Sequence, residues 1–121
     1  ENVIVWNMQQ DGLAPQMEIL SQAGLFVMNG GTGGSREASW HGVPVVAVPT
    51  TYETHQVCTR IAQTGMGLVI HPTASAKRIN RAARQVLENE SFSYQAREVG
   101  DACRLAGGAK RSTDLILAHL H

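Results

Sequence analysis

Four short apolar runs along the 121-residue chain predict buried β-strands. The runs lack the alternation of apolar and polar residues that marks a strand with one face in water. Continuous apolar runs are typical of strands in a parallel sheet, which is covered on both faces. The predicted strands cover residues 3–6, 25–28, 43–48 and 67–70.

Three helical patterns lie between these strands. Pro15 suits a first helical position, and Val57 and Ile61 repeat at helical spacing. A strand–helix alternation of this kind predicts right-handed crossovers and a parallel sheet, so the predicted fold class is α/β. The three helices are predicted over residues 15–22, 35–41 and 53–64.

The last third of the chain is predicted to contain helices alone. Ser75 is a candidate N-cap for the first of them. The pair Gly107-Gly108 is expected to end the second helix, because glycine commonly terminates helices. A final short helix is predicted over residues 109–120. No linker or repeat divides the chain, so residues 1–121 are predicted to form a single domain.

A glycine-rich turn, Asn-Gly-Gly-Thr-Gly-Gly-Ser-Arg-Glu over residues 29–37, joins a predicted strand to a predicted helix. Backbone N–H groups there, with about half a positive charge at the helix N-terminus, favour a phosphate group. The Glu37 carboxylate suits sugar hydroxyls, so a nucleotide fits better than free phosphate. The spacing is not that of a Walker A loop, and Arg36 replaces the last glycine of the dinucleotide-binding pattern.

A second polar cluster follows the third predicted strand, over residues 49–56. Glu53 and Thr54 offer an acceptor and a hydroxyl at the carboxyl edge of the sheet, where a sugar would lie beside the phosphate. An ordinary helix start with an acidic residue near its positive end explains the same pattern. The spacing alone leaves both interpretations open.

Composition narrows the functional classes. Ten basic and ten acidic residues cancel, so no broad field favours nucleic acid. No apolar run approaches the ~20 residues that span a bilayer. Cys58 and Cys103 lie far apart, which favours a reduced, cytoplasmic setting over a disulfide scaffold. His55 and Cys58 are the only pair near metal-ligand spacing, so no metal site is predicted.

Several stretches of the chain, including residues 14–20, 23–31, 42–49 and 106–111, follow the pattern of one family. Together they resemble the nucleotide-sugar glycosyltransferases of the macrolide and UDP-glucuronosyl/glucosyl group. The resemblance implies the GT-B architecture, with two Rossmann-like domains facing each other across a cleft. This chain resembles the C-terminal, donor-binding half, with a Rossmann-like parallel sheet and flanking helices but without its first strands. No cofactor is implied, because the UDP- or dTDP-sugar is the substrate.

The resemblance also implies roles for individual residues. The diphosphate would be bound by Asn29, Gly30, Gly31, Thr32, Gly33, Gly34 and Ser35. The nucleoside would contact Leu13, Gln16 and Glu37, and the sugar would contact Glu53 and Thr54. No catalytic residue and no metal ligand is implied in this chain, because the family's catalytic histidine belongs to the acceptor-binding domain.

Four positions depart from the family pattern. Asn29 stands where a histidine is usual, and asparagine can donate a hydrogen bond but carries no charge. Leu13 replaces an aromatic residue that stacks on the base, and Thr54 replaces a glutamine that contacts the sugar. Gly34 followed by Ser35 replaces the usual pair after the glycines, with the loss of one hydroxyl.

The expected function is donor binding within an inverting glycosyltransferase that transfers a hexose from a UDP- or dTDP-sugar to a hydroxyl of a small-molecule acceptor. The acceptor would bind through a missing N-terminal domain, so this chain alone is expected to be inactive. Two alternatives remain. In the first, the chain is a non-catalytic subunit, and a partner chain or second copy covers an exposed sheet edge. In the second, it is a decayed nucleotide-binding remnant.

Overall fold

A computed structural model describes residues 12–120. The strand predicted over residues 3–6 lies outside this range, as does most of the loop that follows it. Within the range, the strands are β1 (Phe26–Met28), β2 (Val45–Ala47) and β3 (Gly67–Val69). The helices are α1 (Gln16–Leu20), α2 (Thr32–His41), α3 (Tyr52–Thr64), α4 (Ala76–Glu88), α5 (Glu90–Leu105) and α6 (Gly108–His119).

The three described strands form a parallel sheet in the order β1-β2-β3. Val27 pairs with Val46, and Val46 pairs with Leu68 on the other side. The predicted parallel α/β sheet is therefore confirmed for these strands. Since consecutive strands are neighbours in the sheet, their carboxyl ends lie side by side at one edge.

The central strand β2 is buried on both faces, which explains its uninterrupted apolar sequence. Val45 belongs to a core cluster with Ala38 of α2, Ile61 of α3 and Ala96 of α5. Val46, one residue later, belongs to a second cluster that includes Ala82 and Val86 of α4. Successive side chains of a strand point to opposite faces. The sheet is thus covered by α2, α3 and α5 on one side and by α4 on the other.

The start of α2 corrects the prediction. Ser35 was the predicted start, but the helix begins three residues earlier, at Thr32, with Gly31 as the N-cap in extended conformation. The Ser35 N–H donates to the Gly31 carbonyl at 3.0 Å, which closes the first helical turn around the glycines. Gly33 and Gly34 therefore lie inside the first turn of α2 and not in the preceding loop.

Other predicted boundaries hold or move by a few residues. Pro15 is the N-cap of α1 and not its first helical residue, and α6 begins at Gly108, one residue early. The Ser75 side chain accepts a hydrogen bond from the Arg78 N–H, so this predicted cap is confirmed. The break before α6 is also confirmed, since Gly107 has a φ of 93°.

The C-terminal end of α2 is fixed by close backbone packing against α5. Gly42 ends the helix in the left-handed conformation, with a φ of 65°. A Cβ added at Gly100 of α5 would lie 3.1 Å from the Cα and N atoms of Gly42 and from the Ser39 carbonyl oxygen. A methyl group there would require the neighbouring backbone to shift by a few tenths of an ångström, so α5 packs closely on the end of α2 opposite the glycine-rich turn.

Candidate functional site

The polar residues singled out from the sequence lie at the carboxyl edge of the parallel sheet. The glycine turn follows β1, and the Thr50–Thr51 segment follows β2 and leads into α3. Ligands of open α/β sheets bind at this edge, outside the strand ends. The fold therefore brings two of the predicted clusters to neighbouring loops at the edge where a ligand is expected.

The N-terminus of α2 presents unpaired backbone donors to open space. The first N–H groups of a helix have no intrahelical acceptor, and within residues 12–120 no side chain caps this helix. Thr32 and Gly33 are exposed, and a Cβ added at Gly33 would meet nothing within 4 Å. With the helix dipole, these N–H groups form a site that suits an anion.

Gly30 connects this helix start to α3. Its φ is 84°, and it is buried although it lies in a loop. A Cβ at Gly30 would collide with the Cys58 sulfur and lie 3.0 Å from the Thr54 carbonyl oxygen. The turn therefore packs directly on the first two turns of α3, which glycine alone permits.

The polar side chains of the turn are partly engaged. The Asn29 Oδ1 atom accepts a hydrogen bond from the Gly31 N–H at 3.0 Å, so this backbone donor is already satisfied. The Ser35 hydroxyl donates to the Gly31 carbonyl at 2.7 Å and is buried. Both interactions shape the turn. The Nδ2 group of Asn29 makes no hydrogen bond with any residue from 12 to 120, so it remains free for a ligand.

Two of the predicted nucleoside-binding residues come together beside α2. The Gln16 Nε2 group donates to a carboxylate oxygen of Glu37, although the two residues are 21 positions apart. A Cβ at Gly34 would lie 3.7 Å from Gln16 Nε2 and 3.3 Å from the Phe26 ring. Glu37 lies four residues after Gly33, on the same helical face. The Gln16–Glu37 pair therefore lies alongside the glycine-rich helix start.

The third predicted nucleoside residue, Leu13, precedes α1 and is 82% exposed. Its side chain is free to contact a ligand, and the structure does not bury it in a core. Its role stays a prediction.

The two predicted sugar-binding residues differ in whether their side chains are already hydrogen-bonded within the protein. The Thr54 hydroxyl accepts from the N–H groups of Thr50 and Thr51 at 3.1 and 2.9 Å and donates to the Thr51 carbonyl at 3.0 Å. Thr51 accepts in turn from the Thr54 N–H, which makes a capping box. Glu53 is exposed and makes no hydrogen bond or ion pair with residues 12–120. Its carboxylate is available, whereas the Thr54 hydroxyl is fully engaged.

Sequence reasoning missed two contributors, Thr51 and Cys58. The Thr-x-x-Thr spacing of the capping box was a usable signal, because reciprocal caps join positions three apart. Cys58 follows Thr54 by one helical turn and therefore shares its face. Burial raises the pKa of the Cys58 thiol, so the group is neutral beneath the turn.

Among residues 12–120 no group of three or more His, Cys, Asp or Glu side chains is arranged to hold a metal ion. That a metal is not required stays a prediction. Cys58 and Cys103 are both free thiols. None of the helices in the described part of the chain is long and apolar enough to cross a membrane.

Comparison with known proteins identifies the family. Residues 4–106 match the model of the erythromycin biosynthesis protein CIII-like, C-terminal domain. This chain belongs to the EryCIII-like C-terminal domain family. Its curated relatives include the uncharacterized UDP-glucosyltransferase YojK of Bacillus subtilis (strain 168), 33% identical over 85% of this chain and 26% of the relative. Demethyllactenocin mycarosyltransferase of Streptomyces fradiae is 31% identical over 96% of this chain and 24% of the relative.

Solved structures agree with this EryCIII-like assignment. The glycosyltransferase of kitacinnamycin superposes with a TM-score of 0.80 at 27% identity, covering 88% of this chain and 28% of that one. Glycosyltransferase VinC, solved in complex with dTDP, gives a TM-score of 0.72 at 25% identity over 77% of this chain and 24% of that one. The fold is that of the C-terminal half of GT-B glycosyltransferases. The chain spans about a quarter of the length of these relatives.

Proposed function

We propose that this chain forms the donor-binding part of an inverting glycosyltransferase that transfers a hexose from a UDP- or dTDP-sugar to a hydroxyl of a small molecule. The observation that carries the proposal is the N-terminus of α2, which no side chain within residues 12–120 caps, with Thr32 and Gly33 exposed and open space around Gly33 at the carboxyl edge of the sheet. A diphosphate supplies the acceptor oxygens and negative charge that such a helix end favours.

The neighbouring side chains support a nucleotide-sugar over a simple anion. On one side of the glycine turn, the Gln16–Glu37 pair offers an amide and a carboxylate, which suit a base edge and the ribose hydroxyls. On the other side, the exposed Glu53 carboxylate suits hydroxyls of a hexose. Because Gly34 approaches Gln16 and Gly30 approaches Thr54, the turn lies between these two groups. The proposed order is nucleoside, diphosphate and sugar.

The proposed chemistry is a single displacement at the anomeric carbon. The acceptor oxygen forms a bond to that carbon as the bond to the diphosphate oxygen breaks, and the acceptor proton passes to a base outside this chain. The negative charge that develops on the leaving diphosphate is stabilised by the α2 N–H groups and the helix dipole. Asn29 adds a neutral Nδ2 donor where the family pattern has histidine.

The reaction as a whole needs parts that lie beyond this chain. The chain spans 26% of the length of its relative YojK, and we propose that an N-terminal domain supplies the acceptor site and the base. The chain alone is then expected to bind donor without transferring sugar. We propose a cytoplasmic setting, supported by the free thiols of Cys58 and Cys103.

Calorimetric titration of UDP and dTDP into the chain tests the proposal. We expect binding of at least one nucleotide, and weaker binding by Glu37→Ala, which removes the proposed ribose acceptor. Glu98→Ala is the matched control, because Glu98 is exposed on α5 and makes no hydrogen bond or ion pair with any residue from 12 to 120. If neither nucleotide binds, or if both variants bind like the wild type, the proposal is wrong.

One observation favours the alternative of a decayed remnant. The Asn29 side chain occupies the Gly31 N–H, which would otherwise be a further donor for a phosphate oxygen. The substitution Asn29→His distinguishes a decayed remnant from a donor-binding chain. A chain that binds nucleotide only after this substitution is a remnant, whereas a chain that binds nucleotide with Asn29 in place supports the donor-binding proposal. A non-catalytic subunit differs from both in recovering sugar transfer only when a partner chain is added.

A further inference from the structure

Thr54 and Cys58 form the surface of α3 on which the glycine turn rests; we call this pair the α3 seat. Gly30 is buried against both residues, close to the Thr54 carbonyl oxygen and the Cys58 sulfur. Cys58 is 0% exposed. No side chain separates Gly30 from the α3 seat, so the turn that leads into α2 packs directly on it.

The Thr54 hydroxyl is committed within the protein. It accepts hydrogen bonds from two backbone N–H groups and donates its own hydrogen to the Thr51 carbonyl at 3.0 Å. The Thr51 hydroxyl also lies 3.1 Å from it. A hydroxyl has one hydrogen and two lone pairs, so these partners use its full capacity. A sugar hydroxyl could bond to Thr54 only by displacing one of these partners, which would open the capping box of α3.

We infer that Thr54 is a positioning residue for the diphosphate and not a ligand of the sugar. Its hydroxyl fixes the start of α3, and the first turns of α3 fix the position of Gly30. Gly30 in turn sets the position of the α2 N–H groups that face the proposed diphosphate. The inference rests on the proposed function, and it leaves Glu53 as the residue of this pair that contacts the sugar.

The two roles predict different patterns of lost affinity. A sugar ligand contributes to binding of the nucleotide-sugar but not of the bare nucleoside diphosphate. A positioning residue contributes to both by the same factor, because both contain the diphosphate. Thr54→Val keeps the shape of the side chain and removes its hydroxyl, and Thr54→Ser keeps the hydroxyl.

The experiment is a calorimetric titration of the chain with UDP and UDP-glucose, or with dTDP and dTDP-glucose if dTDP binds better. Thr54→Val is expected to weaken both ligands by the same factor, about fivefold to tenfold, which corresponds to ~1 to 1.4 kcal/mol. Thr54→Ser is expected to restore both affinities. Thr59→Val is the matched control, since among residues 12–120 the Thr59 hydroxyl bonds only the His55 carbonyl, on the exposed side of the same helix.

A loss confined to the sugar conjugate, or no loss for either ligand, would overturn the inference while leaving the proposed function intact. A wild-type chain that binds none of the four ligands would overturn the proposed function instead. If Thr54→Val does not fold by circular dichroism, Cys58→Ala replaces it. That change removes the sulfur beneath Gly30 and keeps the capping box, and wild-type affinity for UDP and dTDP in that variant would contradict the α3 seat.

Discussion

The two ends of α2 both carry glycine, and they use it in opposite ways. At the N-terminus, a Cβ at Gly33 would meet nothing within 4 Å. At the C-terminus, Gly42 contacts α5 so closely that a Cβ at Gly100 would lie 3.1 Å from backbone atoms. The first end leaves backbone donors open, and the second fills the space with another backbone. The comparison shows that what surrounds a glycine separates a binding role from a packing role.

Gly30 combines the two roles, because it belongs to the open end but packs on α3. Its φ of 84° and its contact with Cys58 make it as constrained as Gly42. The open end therefore consists of a packed base, Gly30, and an exposed tip, Gly33. Substitutions at these positions separate folding from ligand binding.

The largest effect is expected at the packed end. Gly100→Ala places a methyl group against the backbone of Gly42 and Ser39, which cannot rotate away. Overpacking of this kind costs about 1–3 kcal/mol of unfolding free energy, partly offset by the ~1 kcal/mol that alanine gains over glycine in a helix interior. Denaturant unfolding measures the loss, and nucleotide affinity of the folded fraction is expected to stay unchanged. A variant as stable as the wild type would show that α2 and α5 are not tightly packed where Gly42 meets Gly100.

The next effect is on the free energy of unfolding and depends on pH. It comes from Cys58, which lies beneath Gly30 at the packed base of the open end. Burial raises the pKa of the Cys58 thiol in the folded chain, so above the unfolded thiol's pKa of about 8.5 the unfolded state loses its proton first. Stability from this group is complete below that pH and falls as pH rises, by at most about 1.4 kcal/mol per pH unit. Denaturant unfolding from pH 7 to 10 measures the slope, and Cys58→Ala is expected to reduce it. An unchanged slope in Cys58→Ala would contradict the buried, neutral thiol.

A smaller effect of opposite sign is expected at the exposed tip. Gly33→Ala restricts the unfolded chain without a clash in the folded one, so the unfolding free energy should rise by roughly 0.4–1 kcal/mol. The same methyl group enters the space proposed for the diphosphate, so UDP or dTDP affinity should fall. Thermal unfolding and calorimetry test the two halves. A variant that binds nucleotide like the wild type would mean that the diphosphate does not approach Gly33.

The smallest effect is expected where the hydroxyl of Ser35 closes the first turn of α2. Ser35→Ala removes a buried hydrogen bond worth about 1 kcal/mol and gains about 0.5 kcal/mol of helix propensity. The expected net loss is roughly 0.5 kcal/mol. Ser112→Ala is the control, because the Ser112 hydroxyl makes the same bond to the Gly108 carbonyl in an exposed helix and should cost nothing. Equal effects of both substitutions on urea midpoints would contradict a special role for Ser35.

The parallel sheet could be predicted from the sequence because uninterrupted apolar runs such as Val45 and Val46 belong to strands buried on two faces. The start of α2 could not. Glycine disfavours helix interiors by about 1 kcal/mol, which argued against a helix before Ser35, but this propensity is a weak prior that the packing of α2 on the core overrides. The predicted end of α3 at residue 64 is also confirmed, because Gly65 terminates the helix in the left-handed conformation.

The candidate site was predictable in its location but not in its internal bonds. A parallel sheet brings the turn after β1 and the loop after β2 to one edge, so their proximity follows from strand order. The Gln16–Glu37 contact joins residues 21 apart, and no local pattern encodes it. The commitment of the Thr54 hydroxyl depends on the path of residues 50 and 51, which a sequence pattern describes only after the helix start is known.

The most direct test is a nucleotide titration followed by the backbone amide resonances of α2 in an isotope-labelled chain. Binding of UDP or dTDP at the open end predicts the largest shifts at Thr32, Gly33 and Gly34, with Gly42 and Gly100 unchanged. The same titration of Glu98→Ala should reproduce the pattern. Nucleotide binding that shifts other amides and leaves Gly33 and Gly34 unmoved would contradict the central claim that the start of α2 binds the diphosphate.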